Sequence, residues 1–460
     1  MHQSIRFFVF LASVFVCRPA DAVTLEIYPD ELLELRAGPH AAVTVPPFQS
    51  GDRWCVLGDS ITRSGQYHRY IELFYLTRFP ALKLDVINCG ISGDTAPGAL
   101  KRLQWDCLDA KPTVVSVMLG MNDRSGSAET YDKAMRQLTK SLGEAEAKLI
   151  LITPSIYDDT ADLKVANKPG EGAVVAGFAN CVQTIAGESR LPVVDFNGPM
   201  TAINAEQQTR NSKFTIVGGD RVHPTQPGHL VMAYEFLKAQ GLSGTVSRIT
   251  IDAAAGKAGS LENCTVDKLE VREDEIRFVC LENALPYPVE DKAKPALDLV
   301  PFNQEFNQEI LMVRGLASGD YALSIDGNDI RNFTAAELAD GVNLVGEPNA
   351  PQVQQSLAVL AALQKKWDIA ARLRNLAYCE HCSWPDAPRP LDFSQMPAKL
   401  AAREARVGDK NTSVIKSHKE YLEDKPQEAE LYREMEEAVQ SARLAAQPKS
   451  HNFTLRRVLK

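Results

Sequence analysis

The stretch RWCVLGDSITRSG, residues 53–65, decides the fold. A short apolar run, Trp54–Leu57, stops at Gly58-Asp59-Ser60, and a helical pattern begins soon afterwards. A strand that turns into a helix at a glycine opens a βα unit, and here it delivers a small hydroxyl to the turn. Serine at such a point has two uses. It caps the helix N-terminus, or it faces a ligand beyond the end of the strand.

The same alternation continues to about residue 240. Further apolar runs fall at Leu84–Ile87, Val114–Leu119, Leu149–Ile152 and Val193–Phe196. Between them YHRYIELFYLTRF, GALKRLQWDCL and ETYDKAMRQLTKSLGEAEA carry helical spacing, and PGHLVMAYEFLKAQG ends in a helix stopped by Gly241. Strands alternating with helices form parallel sheets covered on both faces. Residues 23–244 are therefore expected to be an α/β domain on a doubly wound, five-stranded parallel sheet. After Gly244 the runs TVSRITIDA, CTVDKLEVREDEIRFVCL, QEILMVRGL and YALSIDG alternate with Gly, Asp and Asn, which predicts a β-rich segment over 245–346. Residues 347–460 read as helical around a proline-interrupted connector, WPDAPRPLDFSQMP.

The first residues have the pattern of an export signal. Arg6 precedes an apolar core, Phe7–Val16, and Ala20-Asp21-Ala22 offers small residues for cleavage, so 1–22 is expected to be a removed signal peptide. That core is shorter than the roughly 20 residues needed to span a bilayer, and no later run is long enough. Cys17 lies between Val16 and Arg18, a poor setting for lipid attachment. The expected location is secreted or periplasmic. A formal charge of −9 argues against nucleic acid and anionic membrane surfaces as partners. Nine cysteines less Cys17 leave eight, and an even number in an exported chain favours disulfides. Cys264 with Cys280 and Cys379 with Cys382 are the expected pairs. Cys55, Cys89, Cys107 and Cys181 suit buried thiols equally well.

In open parallel sheets ligands bind outside the carboxyl ends of the strands. The first strand is followed by Gly58-Asp59-Ser60, the second by NCGISGDT with Gly93, and the third by LGMNDRSG with Asn122. After the fifth comes an insertion and then GGDRVHPTQPGH, with Asp220 and His223. Four polar turn clusters thus share one rim. Their order, GDSI, GISGDT, LGMND and DRVHP, resembles the GDSL or SGNH hydrolases over residues 54–240, about half of the chain after the signal. GDSI stands for the commoner GDSL, and GMND for a more usual Gly-Thr-Asn-Asp. The resemblance implies a flavodoxin-like fold. It also implies a serine esterase with Ser60 as nucleophile, Asp220 and His223 as acid and base, and Ser60, Gly93 and Asn122 as the oxyanion hole. It calls for no cofactor and no metal.

The chemistry needs these residue types in its own right. A serine hydroxyl requires an adjacent base to become a nucleophile. His223 can supply it, with Asp220 three residues earlier to hold the ring in one tautomer. Gly93 lets a backbone N–H approach closely, and Asn122 offers an amide. Each residue also has a plainer use: Ser60 and Asn122-Asp123 as helix caps, Gly93 as a turn residue, Asp220 and His223 as a surface pair or, with His229, metal ligands. Asp59 is read as a brace for the turn. No Gly-x-Ser-x-Gly elbow, P-loop or dinucleotide fingerprint is present. Cys379, His381 and Cys382 would make half a zinc site, without a second cluster to complete it.

The expected substrate is a small-molecule or glycan ester, with short-acyl or O-acetyl groups on a carbohydrate preferred. Tyr67, His68, Tyr70 and Tyr157 would suit a sugar, or serve only as packing. The alternatives are an O-acyltransferase to a glycan, a lipase-type acylhydrolase, and, last, a catalytically dead binding protein. Oligomeric state and the role of 245–460 are not legible in the residues.

Overall fold

The computed structural model describes residues 43–384, 387–407 and 412–459. The expected signal peptide, with Cys17, lies outside them. Each of the five apolar runs forms a strand: β1 (Asp52–Gly58), β2 (Leu84–Gly90), β3 (Val114–Met118), β4 (Lys148–Ile152) and β5 (Val193–Val194). They make one sheet in the order β2-β1-β3-β4-β5, parallel throughout. The order reverses at β1, so its carboxyl end opens onto a crevice between diverging loops.

Alternation along the strands divides the core. Trp54 and Val56 face one side with the helices Gln66–Arg78 and Gln226–Ala239; Cys55 and Leu57 face the other with Ala96–Asp106, Ala128–Glu144 and Glu171–Ser189. Two glycines permit the close approach of β1 and β2 to the turn after them. A Cβ on Gly58 would lie 2.9 Å from the Met118 carbonyl, and one on Gly90 would collide with the Arg63 backbone nitrogen.

The β-rich segment supplies β6 (Thr245–Asp252), β7 (Lys257–Glu262), β8 (Cys264–Val271), β9 (Glu275–Glu282), β10 (Gln308–Arg314), β11 (Asp320–Ile325), β12 (Asn328–Thr334) and β13 (Val342–Asn343). Residues 347–460, expected to be helical, end instead in a strand, β14 (Ser450–Arg457). It pairs antiparallel with β9 on one side and β11 on the other, in the middle of the sheet β12-β11-β14-β9-β8. The second sheet, β13-β10-β6-β7, shares an apolar core with the first. The 28-residue helix Pro351–Tyr378 packs onto the α/β domain, where Val359, Leu360, Leu363 and Trp367 enter the same core as Trp54 and Phe236. The α/β domain and the appended segment therefore share buried surface. No helix among the described residues is long and apolar enough to cross a membrane.

The expected disulfides are absent: all eight cysteines outside the signal are free thiols. Register explains the first pair. Cys264 stands opposite Glu282 and Cys280 opposite Val266, so the two are diagonal neighbours rather than directly facing. In the second, Cys379 points at Ser417, whose carbonyl lies 3.7 Å from its Sγ, while Cys382 is only half-buried. His381 stacks on Trp105 at 4.0 Å between ring centroids and joins no ligand cluster with these cysteines.

Because β14 is central, a chain ending at Ala446 would leave β9 and β11 with unpaired edges and expose Phe278 and Leu323. Such a truncation is expected to be insoluble or to lose more than about 10 °C in Tm, checked by soluble yield and thermal melting. Native-like melting would show β14 to be dispensable.

Candidate active site

Ser60 is the first residue of a short helix, Ser60–Ser64, and it is Asp59 that caps it: Asp59 Oδ1 accepts the Ile61 N–H at 2.9 Å. The cap reading of Ser60 is thereby excluded, and its hydroxyl is free for another partner. That partner is His223, with Ser60 Oγ 2.7 Å from Nε2. His223 Nδ1 lies 2.6 Å from Asp220 Oδ2, which accepts its N–H and leaves the Nε2 lone pair facing the serine. The other carboxylate oxygen, Oδ1, accepts the backbone N–H groups of His223 at 3.0 Å and Val222 at 3.1 Å.

Burial works against ionisation of Asp220. The hydrogen bonds from the imidazole and from the two backbone N–H groups outweigh it and hold the carboxyl below its usual range. Asp220 is thus an anion at neutral pH, as an imidazole that must accept a proton requires. Both side chains are half-exposed, so the rim is open to water.

The loop that carries them is pinned by Arg221, a residue the sequence reading passed over. Its backbone is left-handed, at φ 68°, and its buried guanidinium donates to the carbonyls of Asp158 and Ala161, each at 3.0 Å. An isolated bridge between Val217 and Pro224 closes the base of the loop. The only sequence signal for Arg221 was its place between Asp220 and His223.

Three N–H donors lie on the loops of Ser60, Gly93 and Asn122. The backbone N–H groups of Ser60 and Gly93 have no acceptor among the described residues. Gly93 has φ 77°, a left-handed conformation that glycine adopts without cost. Asn122 Nδ2 donates to the Asp94 carbonyl at 2.9 Å, which fixes the amide orientation next to Gly93. Its second N–H points toward Asp59 Oδ2 at 3.4 Å, a contact long enough to be exchanged for a stronger acceptor. Asp123, its neighbour, takes the plainer role and accepts the Ala96 N–H at 2.9 Å. A hydroxyl, an imidazole, a carboxylate and N–H donors grouped on one rim are the residue types that acyl transfer requires.

The aromatic quartet does not line this rim. Tyr67, His68, Tyr70 and Tyr157 are all buried, and Tyr67 spends its hydroxyl on Thr62 at 3.1 Å. They are packing residues. His229 is buried as well, stacked on Tyr67 and 3.3 Å from Ser64 Oγ; burial lowers its pKa to about 3 and keeps it neutral, away from any set with Asp220 and His223.

A profile of the GDSL-like lipase/acylhydrolase family matches residues 56–231, the span that holds all of these loops. Along nearly the whole chain, the structure is similar to that of BT4096, a gut microbial diltiazem-metabolizing enzyme. The two are 31% identical, with 90% of this chain and 99% of that one covered and a TM-score of 0.77. The chain belongs to the GDSL-like hydrolase family. An acetylxylan esterase of Geobacillus stearothermophilus is 26% identical over 226 residues, covering 43% of this chain and 98% of the other. As a GDSL-like hydrolase the protein is a carboxylic ester hydrolase.

In this GDSL-like site Asp59 does more than brace the turn, since it touches Asn122. Burial pushes its carboxyl up to about 7, against the Ile61 N–H and the neighbouring His223. The folded-state pKa then exceeds the unfolded value near 4, so the folded chain holds an extra proton between about pH 4 and 7. That contribution to stability is present at low pH and lost as pH rises through 7. Asp59→Asn keeps the cap and cannot titrate. Its unfolding free energy relative to the parent is expected to rise between about pH 4 and 7 and then level off, measured by denaturant melts. A flat difference would contradict the assigned proton.

Proposed function

We propose that the protein hydrolyses short-chain acyl esters, above all O-acetyl groups on a carbohydrate, through an acyl-serine at Ser60, after export and removal of residues 1–22. The observation that carries this is the continuous line from Ser60 Oγ through the His223 ring to Asp220, at 2.7 and 2.6 Å. Ser60 Oγ attacks the ester carbonyl carbon while its proton passes to His223 Nε2. The carbonyl oxygen becomes an oxyanion held by the N–H groups of Ser60 and Gly93 and by Asn122 Nδ2. The alkoxide leaves with the proton from Nε2. Water then repeats the sequence on the acyl-serine and releases the acid. Asp220 stays ionised and holds the ring throughout.

Two further observations support the acyl and alcohol classes. The acetylxylan esterase relative is matched over 98% of its length, so the likeness covers that whole enzyme. None of the exposed large apolar side chains among the described residues sits on the loops of Ser60, Gly93, Asn122 or His223, so these loops present no exposed apolar patch for a long acyl chain. The half-exposed base is open to water as the acyl acceptor.

Ser60→Ala is expected to abolish turnover of p-nitrophenyl acetate with Tm nearly unchanged. Asn122→Ala should lower kcat about 100- to 1,000-fold with little effect on KM. A substrate panel of p-nitrophenyl acetate and octanoate, acetylated xylo-oligosaccharides and diltiazem tests the specificity. Acetyl esters are expected to lead. Preference for octanoate would overturn the short-acyl reading, and failure to deacetylate any oligosaccharide would overturn the carbohydrate one.

A further inference from the structure

Behind the rim lies a buried charge network that the sequence reading did not foresee. Arg102, on the Ala96–Asp106 helix, donates Nη2 to the Gly58 carbonyl at 3.0 Å, Nη1 to the Cys89 carbonyl at 2.8 Å and Nε to Asp94 Oδ2 at 2.7 Å. It also pairs with Asp106, one turn along its own helix. Arg374 reaches the same carboxylate from the appended helix Pro351–Tyr378, with Nη2 2.8 Å from Asp106 Oδ2. Nη1 of Arg374 pairs with the other oxygen of Asp106, while Nε and the second N–H of Nη2 meet the Gly90 carbonyl at 3.1 and 3.0 Å. The side chains of Arg102, Asp106 and Arg374 are all at least nine-tenths buried.

Every backbone group held by this network adjoins a reacting element. Gly58 is two residues before Ser60. Gly90 ends the strand that leads into Gly93, and its backbone rests against the nucleophile helix at Arg63. Asp94 follows Gly93 and offers its carbonyl to Asn122. Two arginines and two aspartates balance in charge, so each partner is matched while desolvated. Without Arg374, the Gly90 carbonyl loses its donors and Asp106 loses half of its compensation, which also loosens the hold of Asp106 on Arg102.

We propose that Arg374 is a positioning residue for the oxyanion donors, and that the appended helix is thereby a working part of the catalytic rim. The inference rests on the reading of Ser60, Gly93 and Asn122 given above. Arg374 touches no substrate; it acts through Gly90, Asp106 and Arg102. Its loss is therefore felt where donor placement matters, in kcat, with substrate binding little changed. Displacements of about 1 Å at a reacting centre can cost about 100-fold in rate.

The test uses the full chain, with active sites counted by the endpoint of fluorophosphonate labelling so that kcat is expressed per competent serine. Arg374→Met is expected to lower kcat on p-nitrophenyl acetate about 10- to 100-fold with KM within about twofold. Arg374→Lys, which keeps the charge and loses the fork, should fall between it and the parent. Glu72→Gln is the control. Glu72 anchors the same helix through Lys366 and Trp367 at 2.6 and 2.7 Å, away from the rim. It should lower Tm and leave kcat unchanged. If Arg374→Met yields no folded protein, a kcat for Arg374→Lys at least about threefold below the parent sustains the proposal. Unchanged kcat in the Arg374 variants, or an equal loss in Glu72→Gln, overturns it. Failure of the underlying reading is visible separately, as activity that survives in Ser60→Ala.

Discussion

A hydroxyl and an imidazole 163 positions apart along the chain stand 2.7 Å from each other, and the proposed chemistry depends on that one contact. Serine is inert without a base within hydrogen-bond reach, and an imidazole without an orienting acid is not held in the tautomer that leaves Nε2 free to accept. The fold meets this requirement at both ends of the bond. On the serine side, Gly58 and Gly90 let two strands close onto the helix Ser60–Ser64, and Asp59 takes the capping duty that would otherwise occupy Ser60. On the histidine side, Arg221 ties the loop to four carbonyls of the 158–165 segment. Neither end has much freedom to drift.

Much of this was legible in the sequence because the relevant signals are local. Each strand of the parallel sheet is an apolar run bounded by a turn glycine or polar cluster, and the rule that ligands gather at carboxyl ends converts strand order into site position. Ser60, Gly93, Asn122, Asp220 and His223 stand in the polar clusters this rule marks, the resemblance to the GDSL hydrolases singled them out, and the structure brings Ser60 and His223 into contact. The helix Glu171–Ser189 was missed because its small residues, Gly172, Gly177 and Gly187 among them, blur the apolar spacing.

Other features depend on partners distant in sequence, and a single chain read locally carries little of them. The alternation of Phe453 and Leu455 in β14 is plain, yet its partners are β9 and β11, more than a hundred residues earlier. The Cys264–Cys280 expectation failed on a register offset of two residues, which hairpin composition does not specify. Tyr67, His68 and Tyr70 have residue types that suit sugars and burial equally. Their place in a helix packed against Trp54 and Phe196 decided for burial. Arg374 was invisible for the same reason: its partners are a carbonyl and a carboxylate some 270 to 280 positions away.

The most direct measurement is to quench the enzyme in acid during steady turnover of an acetyl ester and locate the acetyl group by peptide mass spectrometry. The account predicts one acetyl group on the peptide that carries Ser60, and none when His223 is replaced by alanine. Turnover at full rate with no acetylated peptide, or acetylation of another residue at the rate of turnover, would contradict it.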